Sequence, residues 1–334
     1  MKLDGRCLSD MDTKTKIFKE IFVDGKKELA IATSYSQIDS YLGCPYRWYR
    51  DYLLGERESV KAEALALGTS VHETLEQYFN GVAQGKKFTV AQAQDMLAFN
   101  MELNEIPYTS EENKVEAEQQ HNDMVEGLVV GTSELAKFMK DKEVVATEKE
   151  FQLCINLPFE ILFNGTKYNK VYIVGSIDFI VKDKKGGLHV VDFKSGKKVF
   201  EAKKLKENLQ LPIYSLVVLQ IYGRLPASTQ YYFTRLDEFQ EVLPIVENEL
   251  DRITIYYKNG KIKQQGRLVQ EVIEELWGIF ADQYTTGVFE PKPCALCSWC
   301  SHGLYDKNNC EHAMFYKRKD IPLPRKNIKR FRKN

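Results

Sequence analysis

At Val144 the hydrophobic period of the chain changes, and this switch limits the fold more than any other feature. Upstream, apolar residues recur at helical spacing. Leu67, Val71, Leu75 and Phe79 share one stripe of a helix expected over about residues 65–79, and charge-rich helical segments continue over 90–140. Thr33 and Ser34 read as an N-cap for "YSQIDSYLGCPYRWYRDYLLG", a helical stretch interrupted by Gly43 and Pro45. Downstream, "VVATEKEFQLCI", "KVYIVGSIDFIV" and "GLHVVDFK" alternate as strands do, and Gly186-Gly187 predicts that the last two form a hairpin. "NLQLPIYSLVVLQIYG", ended by Gly223, reads as one apolar helix, "STQYYFTRL" as another strand, and helices are expected over about 242–258 and 267–285. Helices, a small sheet with one inserted helix, then helices again give an α/β core with a helical surround.

Charge is uneven along the 334 residues although the formal net charge is zero. From Lys317 to Lys333 nine Lys or Arg face the single acid Asp320, so this segment carries +8 and the remainder −8. Such a basic tail can hold the phosphates of a polyanion, or it can be a solvated run. The N-terminus shows no secretory signal, and apolar stretches fall short of the roughly 20 residues a membrane helix requires. The expectation is a soluble, cytoplasmic protein with no membrane contact. Seven cysteines are present, four of them between Cys294 and Cys310, a clustering that in a reducing compartment favours a metal or iron–sulfur site over disulfides.

The hairpin carries the chemistry. Asp178 and Asp192 lie on its two strands and, counted back from the glycine turn, meet near its open end. Asp192 and Lys194 are two apart and share a face. Two carboxylates in a low-dielectric cleft repel, and a hard divalent cation such as Mg²⁺ or Mn²⁺ removes that cost. It can also acidify a water and neutralise charge building on a phosphate. Taken alone, Asp192 and Lys194 are a surface pair worth under about 1 kcal/mol.

Four segments in order sharpen the pattern: "GTSVHETLEQYF" with His72, "VGSIDFIV" with Asp178, "VVDFKSG" with Asp192 and Lys194, and "QLPIY" with Gln210 and Tyr214 one helical turn apart. Together they resemble the RecB-type branch of the PD-(D/E)XK nuclease superfamily, which includes AddB-like and CRISPR-associated exonucleases. The resemblance runs from about Thr33 to Cys310. It implies a restriction-endonuclease-like core, a small mixed sheet flanked by helices, with a helical N-terminal region and a cysteine-stapled C-terminal region. It implies that Asp178, Asp192, His72 and the main-chain carbonyl of Phe193 hold the metal. Lys194 would be the catalytic lysine, with Gln210 and Tyr214 supporting it or contacting DNA. Glu148 and Glu150 occupy the region where related enzymes carry an acid, Glu150 ranking below the two aspartates.

"CPYRWY" followed much later by "CSWC" resembles the iron–sulfur subclass of these nucleases, which implies a [4Fe–4S] cluster on Cys44, Cys297, Cys300 and Cys310, with Cys294 as alternate. The late four cysteines also fit Zn²⁺ as C-x₂-C-x₂-C-x₉-C. The expected layout is an N-terminal extension over 1–31 and one nuclease domain over 32–316. That domain includes a helical insertion over about 80–142 and the iron–sulfur region over 294–310, and a basic tail spans 317–334. DNA is the substrate that the resemblance implies, and "YRWYR" over 46–50 interleaves rings and cations as a single strand requires, or else packs in the core. No G-x-x-x-x-G-K-[ST] motif is present, so a helicase or recombinase partner would supply any motor. The implied activity is an exonuclease on single-stranded or resected DNA ends in recombination, repair or phage DNA metabolism. The alternative is a non-catalytic DNA-binding or scaffold subunit that retains the fold.

Overall fold

The structure, a computed structural model, describes residues 17–293 apart from 24, 57–61, 164, 202–203, 206–207, 243–251 and 257–261, together with Cys297, Cys300, His302 and Cys310. The chain is mixed α/β. Its strands are hydrogen-bonded in the order β1-β2-β4-β5-β6-β7, with β3 also on β4 and a separate β8-β9 pair. It divides into two compact units, one of residues 1–60, 154–174 and 273–334, the other of 61–153 and 175–272.

In the first unit β1 (Phe18–Val23) and β2 (Lys26–Thr33) form an antiparallel hairpin turned at Gly25, whose φ of 78° is the left-handed region that glycine tolerates. The segment expected to be an extension thus contributes strands, and β2 pairs in parallel with β4 (Thr166–Asp183) through Ala32 and Thr33. The hydroxyl of Ser34 accepts from the amide of Gln37 at 3.3 Å and starts α1 (Tyr35–Gly43). Pro45 then opens the short α2 (Pro45–Trp48), which continues as a π-turn to Leu53. Trp48 is buried against Tyr41, Phe280 and Phe289, and the Tyr41 hydroxyl donates to Gln283 at 2.7 Å. Two of the three rings of "YRWYR" are therefore core, Trp48 and Tyr49 being buried and offering no stacking platform, while Tyr46 is half-buried.

The second unit holds α3 (Glu63–Ala83), α4 (Val90–Leu103), α5 (Glu111–Val130) and α6 (Glu134–Met139). After them come the first part of β3 (Lys142–Phe163), the second part of β4, β5 (Leu188–Lys194), α7 (Gln210–Tyr222), β6 (Ser228–Phe233) and β7 (Glu238–Val242). β4 and β5 are antiparallel across the expected Gly186-Gly187 turn, with Lys182 opposite Leu188 and Phe179 opposite Val191. β5 and β6 are parallel, which requires a crossover, and α7 is that crossover. Period-2 alternation places Val191 and Phe193 in the core with Leu67, Val71 and Leu75 of α3, so Asp192 and Lys194 face the other way.

Where a helix is expected over 242–258, the described residues form a strand: β8 (Arg252–Tyr256) pairs with β9 (Ile262–Leu268) before α8 (Val269–Thr286). "RITIY" is rich in β-branched residues, and Asn259-Gly260 in the sequence is a strong hairpin signal; both outweigh helical spacing. The basic tail over 317–334, Cys7 and Cys294 lie outside the described residues.

Candidate active site

The site is assembled within the second unit from four elements: α3, β3, the β4–β5 hairpin and α7. The register that pairs Phe179 with Val191 brings Asp178 and Asp192 to the same level, one step further along the hairpin. There the strands are tied by a side chain: the amide of Phe193 donates to Oδ2 of Asp178 at 2.8 Å. Both aspartates are buried, Asp192 to 1 % exposure. Burial, and then the neighbouring charge of Asp192, push the Asp178 carboxyl well above the usual carboxylate range.

Asp192 is the least satisfied acid in the site. The ammonium of Lys194 abuts its Oδ2, yet neither carboxylate oxygen accepts a hydrogen bond of acceptable geometry. The contact is a charge pairing without directionality, which leaves lone pairs on both oxygens uncommitted. Lys194 is held from its other side by Gln210 of α7, whose Oε1 accepts from Nζ at 3.0 Å. Nε2 of Gln210 in turn donates to the Tyr214 hydroxyl at 3.1 Å, one helical turn on. The amide of Gln210 donates to Asn208 Oδ1 at 2.8 Å, and the Tyr231 hydroxyl reaches the same oxygen at 2.9 Å. The start of α7 is thus fixed to β6.

His72 comes from α3. Its Nε2 lies 2.9 Å from the carbonyl oxygen of Phe193, and its Nδ1 lies 3.4 Å from Asp178 Oδ2 and 3.7 Å from Glu148 Oε1. Burial pulls the imidazole down, but Asp178, Glu148 and Asp192 prevail and push it up to about 9. One turn earlier, Gly68 lets α3 approach the loop after β5: a Cβ there would stand 3.2 Å from Ser195 Oγ.

Glu148 enters the site through an irregular backbone. Its φ is 40°, a conformation a glutamate rarely adopts, and it breaks the alternation of β3. From Phe151 to Leu157 the odd residues are buried and the even ones from Glu150 to Pro158 exposed, so Glu150 points to solvent while Glu148 turns inward. Ser176 holds it there with a 2.7 Å hydrogen bond to Oε2. Hydrogen bonding from His72, opposed by burial and joined by Ser176, keeps the Glu148 carboxyl below its ordinary range.

Ligand atoms of His72, Glu148 and Asp178 lie within 4.8 Å of one another, the one such group of three among the described residues. Adding Asp192, whose oxygens accept no hydrogen bond, the donors are hard carboxylates and one imidazole, which suit Mg²⁺ or Mn²⁺ better than a soft metal. The cysteines do not gather in this way. Cys44 Sγ accepts the Lys292 amide at 3.4 Å, and Cys297, Cys300 and Cys310 form no group of ligand atoms with it, so the iron–sulfur and zinc expectations find no support among the described residues. The early and late segments of the first unit are also linked by a buried pair, His302 Nε2 to Asp51 Oδ1 at 2.7 Å, with Arg47 on the other carboxylate oxygen at 3.3 Å.

A family profile for the PD-(D/E)XK nuclease superfamily matches residues 32–303. No curated protein matches the chain. A solved structure described as "Crystal structure of SSO0001" is similar at 14% identity over 79% of this chain and 89% of that one, with a TM-score of 0.25.

Proposed function

Because the chain belongs to the PD-(D/E)XK nuclease superfamily, a family of metal-dependent nucleases, we propose that it is a Mg²⁺- or Mn²⁺-dependent deoxyribonuclease. Its preferred mode is exonucleolytic, on single-stranded or resected DNA ends arising in recombination, repair or phage DNA metabolism. The observation that carries the reading is Asp192: a carboxylate at 1 % exposure whose oxygens lack hydrogen-bond donors, beside a second buried aspartate and a lysine. Three inward carboxylates against one lysine and one imidazole leave negative charge that a bound cation offsets.

His72, Asp178 and Asp192, with the carbonyl of Phe193, would hold the cation, and Glu148, one of the two acids expected on the preceding strand, would complete the set. When bound, the ion supplies a water of lowered pKa and neutralises charge on the scissile phosphate. Lys194 places a fixed ammonium beside that phosphate, where it orients the attacking water and stabilises charge on the non-bridging oxygens. Gln210, backed by Tyr214, gives the ammonium a second fixed partner besides Asp192. The leaving 3′- or 5′-oxygen takes its proton from solvent. The sequence carries no nucleotide-binding loop of the Walker type, so a partner helicase or recombinase would expose the strand.

Incubation of end-labelled single-stranded, double-stranded and circular DNA with Mn²⁺, with and without EDTA, tests this reading. Release of labelled mononucleotides from linear single strands, abolished by EDTA, is expected. Binding without cleavage in any metal would instead favour a scaffold subunit.

A further inference from the structure

We infer that Thr234 and His121 form a positioning pair that fixes the end of β5 carrying Lys194, a role that rests on the nuclease reading of that lysine. Lys194 is the last residue of β5, so nothing in the strand beyond it restrains its backbone. Its carbonyl oxygen is caught by Thr234, the residue after β6: the Thr234 amide donates to it at 2.9 Å, and the hydroxyl lies 3.3 Å away. Thr234 is 1 % exposed, and its hydroxyl also stands 3.3 Å from Nε2 of His121, itself fully buried on α5.

The tautomer of His121 is fixed by its other nitrogen. Nδ1–H donates to the Ala117 carbonyl at 2.8 Å, one turn back in the helix, which leaves Nε2 as an acceptor. Burial pushes this imidazole down to about 4, so it is neutral near pH 7. The single hydroxyl proton of Thr234 thus faces two acceptors, and its donation to Nε2, with the Thr234 amide on the Lys194 carbonyl, is what ties β5 to α5. His121 sits in the apolar stripe of α5 with Ala117, Met124, Val125 and Leu128, where an aliphatic side chain would pack without any polar group to satisfy. An imidazole there is useful only for the bonds it makes.

The same helix grips the chain on both sides of this point. Glu116 of α5 takes Lys197, three residues past Lys194, at 2.7 Å, and Gln120 takes Arg235, the neighbour of Thr234, at 2.6 Å. Lys194 is therefore held at its ammonium by Gln210 and at its carbonyl by Thr234 backed by His121. A reacting group needs its backbone held to within about 0.5 Å to act in line with its partners.

The test compares Thr234→Val, which keeps the shape and removes the hydroxyl, with Thr234→Ser, which keeps the hydroxyl. Two readouts are taken: steady-state Mn²⁺-dependent cleavage of labelled single-stranded DNA, and amide hydrogen exchange across residues 192–197. Thr234→Val is expected to lower kcat about tenfold with KM nearly unchanged, and to speed exchange at Lys194 to Lys197. Thr234→Ser should restore both to near the wild-type values, and His121→Gln should fall between them. Unchanged kcat and exchange in a folded Thr234→Val protein, or failure of Thr234→Ser to rescue, would overturn the inference. Absence of cleavage in the wild type would strike the nuclease reading instead, and the exchange data would still decide whether the hydroxyl pins β5.

Discussion

Phe193 and Asp178 hold the site's two strands together by an unusual link, a main-chain amide donating to a side-chain carboxylate at 2.8 Å. The link satisfies one oxygen of Asp178 and turns the Phe193 carbonyl toward His72 on the same side. A backbone group and two side chains thereby converge on one point, with Asp192 next to it. That convergence is the basis of the metal reading, and several consequences can be measured.

Glu148→Gln removes one inward carboxylate while keeping the Ser176 contact possible through the amide. Mn²⁺ affinity measured by calorimetry should weaken about tenfold or more. Glu150→Gln, a change on the solvent side of β3, should leave affinity unchanged.

The metal-free protein should lose stability as pH rises from 6.5 to 9. His72 has its folded value raised from 6.5 to about 9, so the folded state binds more protons than the unfolded one throughout that window. Its stabilising share is complete below 6.5 and gone above 9. Thermal scans should show a steeper downward slope in the wild type than in His72→Gln, the raised Asp178 carboxyl contributing a fall of its own in both. Added Mn²⁺, which competes with that proton, should raise the melting temperature more at pH 8.5 than at pH 6.5.

Much of this site is legible in the sequence, and the exceptions have physical causes. The opposition of Asp178 and Asp192 follows from counting outward from Gly186-Gly187, because an antiparallel register is fixed by its turn. Gln210 and Tyr214 follow from helical spacing. Glu148 does not: alternation treats Glu148 and Glu150 alike, and only the φ of 40° at Glu148 separates them, which no pattern in the residues announces. Thr234 and His121 are equally silent, since their contact joins residues 113 apart in the chain. Trp48 and Tyr49 share their spacing with both a stacking platform and a core, and burial decided for the core.

His302→Ala should destabilise the protein by about 3 kcal/mol in chemical denaturation, because it strips Asp51, at 1 % exposure, of its 2.7 Å partner. Asp51→Asn with His302 retained should cost less, since an amide keeps one hydrogen bond and removes the buried charge. DNA cleavage at temperatures well below unfolding should be unaffected by either change.

Gln210→Leu should lower kcat about tenfold by removing the second partner that fixes the Lys194 ammonium, with Mn²⁺ affinity little changed. Tyr214→Phe removes only the next bond in the chain and should have a smaller effect. Single-turnover rates with saturating Mn²⁺ separate the two.

The central claim is that Asp192 and Lys194 form one catalytic unit, and it is tested most directly by single-turnover cleavage of end-labelled single-stranded DNA in Mn²⁺ with wild type, Asp192→Ala and Lys194→Ala. The account predicts robust cleavage by wild type and a loss of at least about 10²-fold in each variant, with Lys194→Ala still binding Mn²⁺ and Asp192→Ala binding it poorly. Cleavage at the wild-type rate by either variant would contradict it.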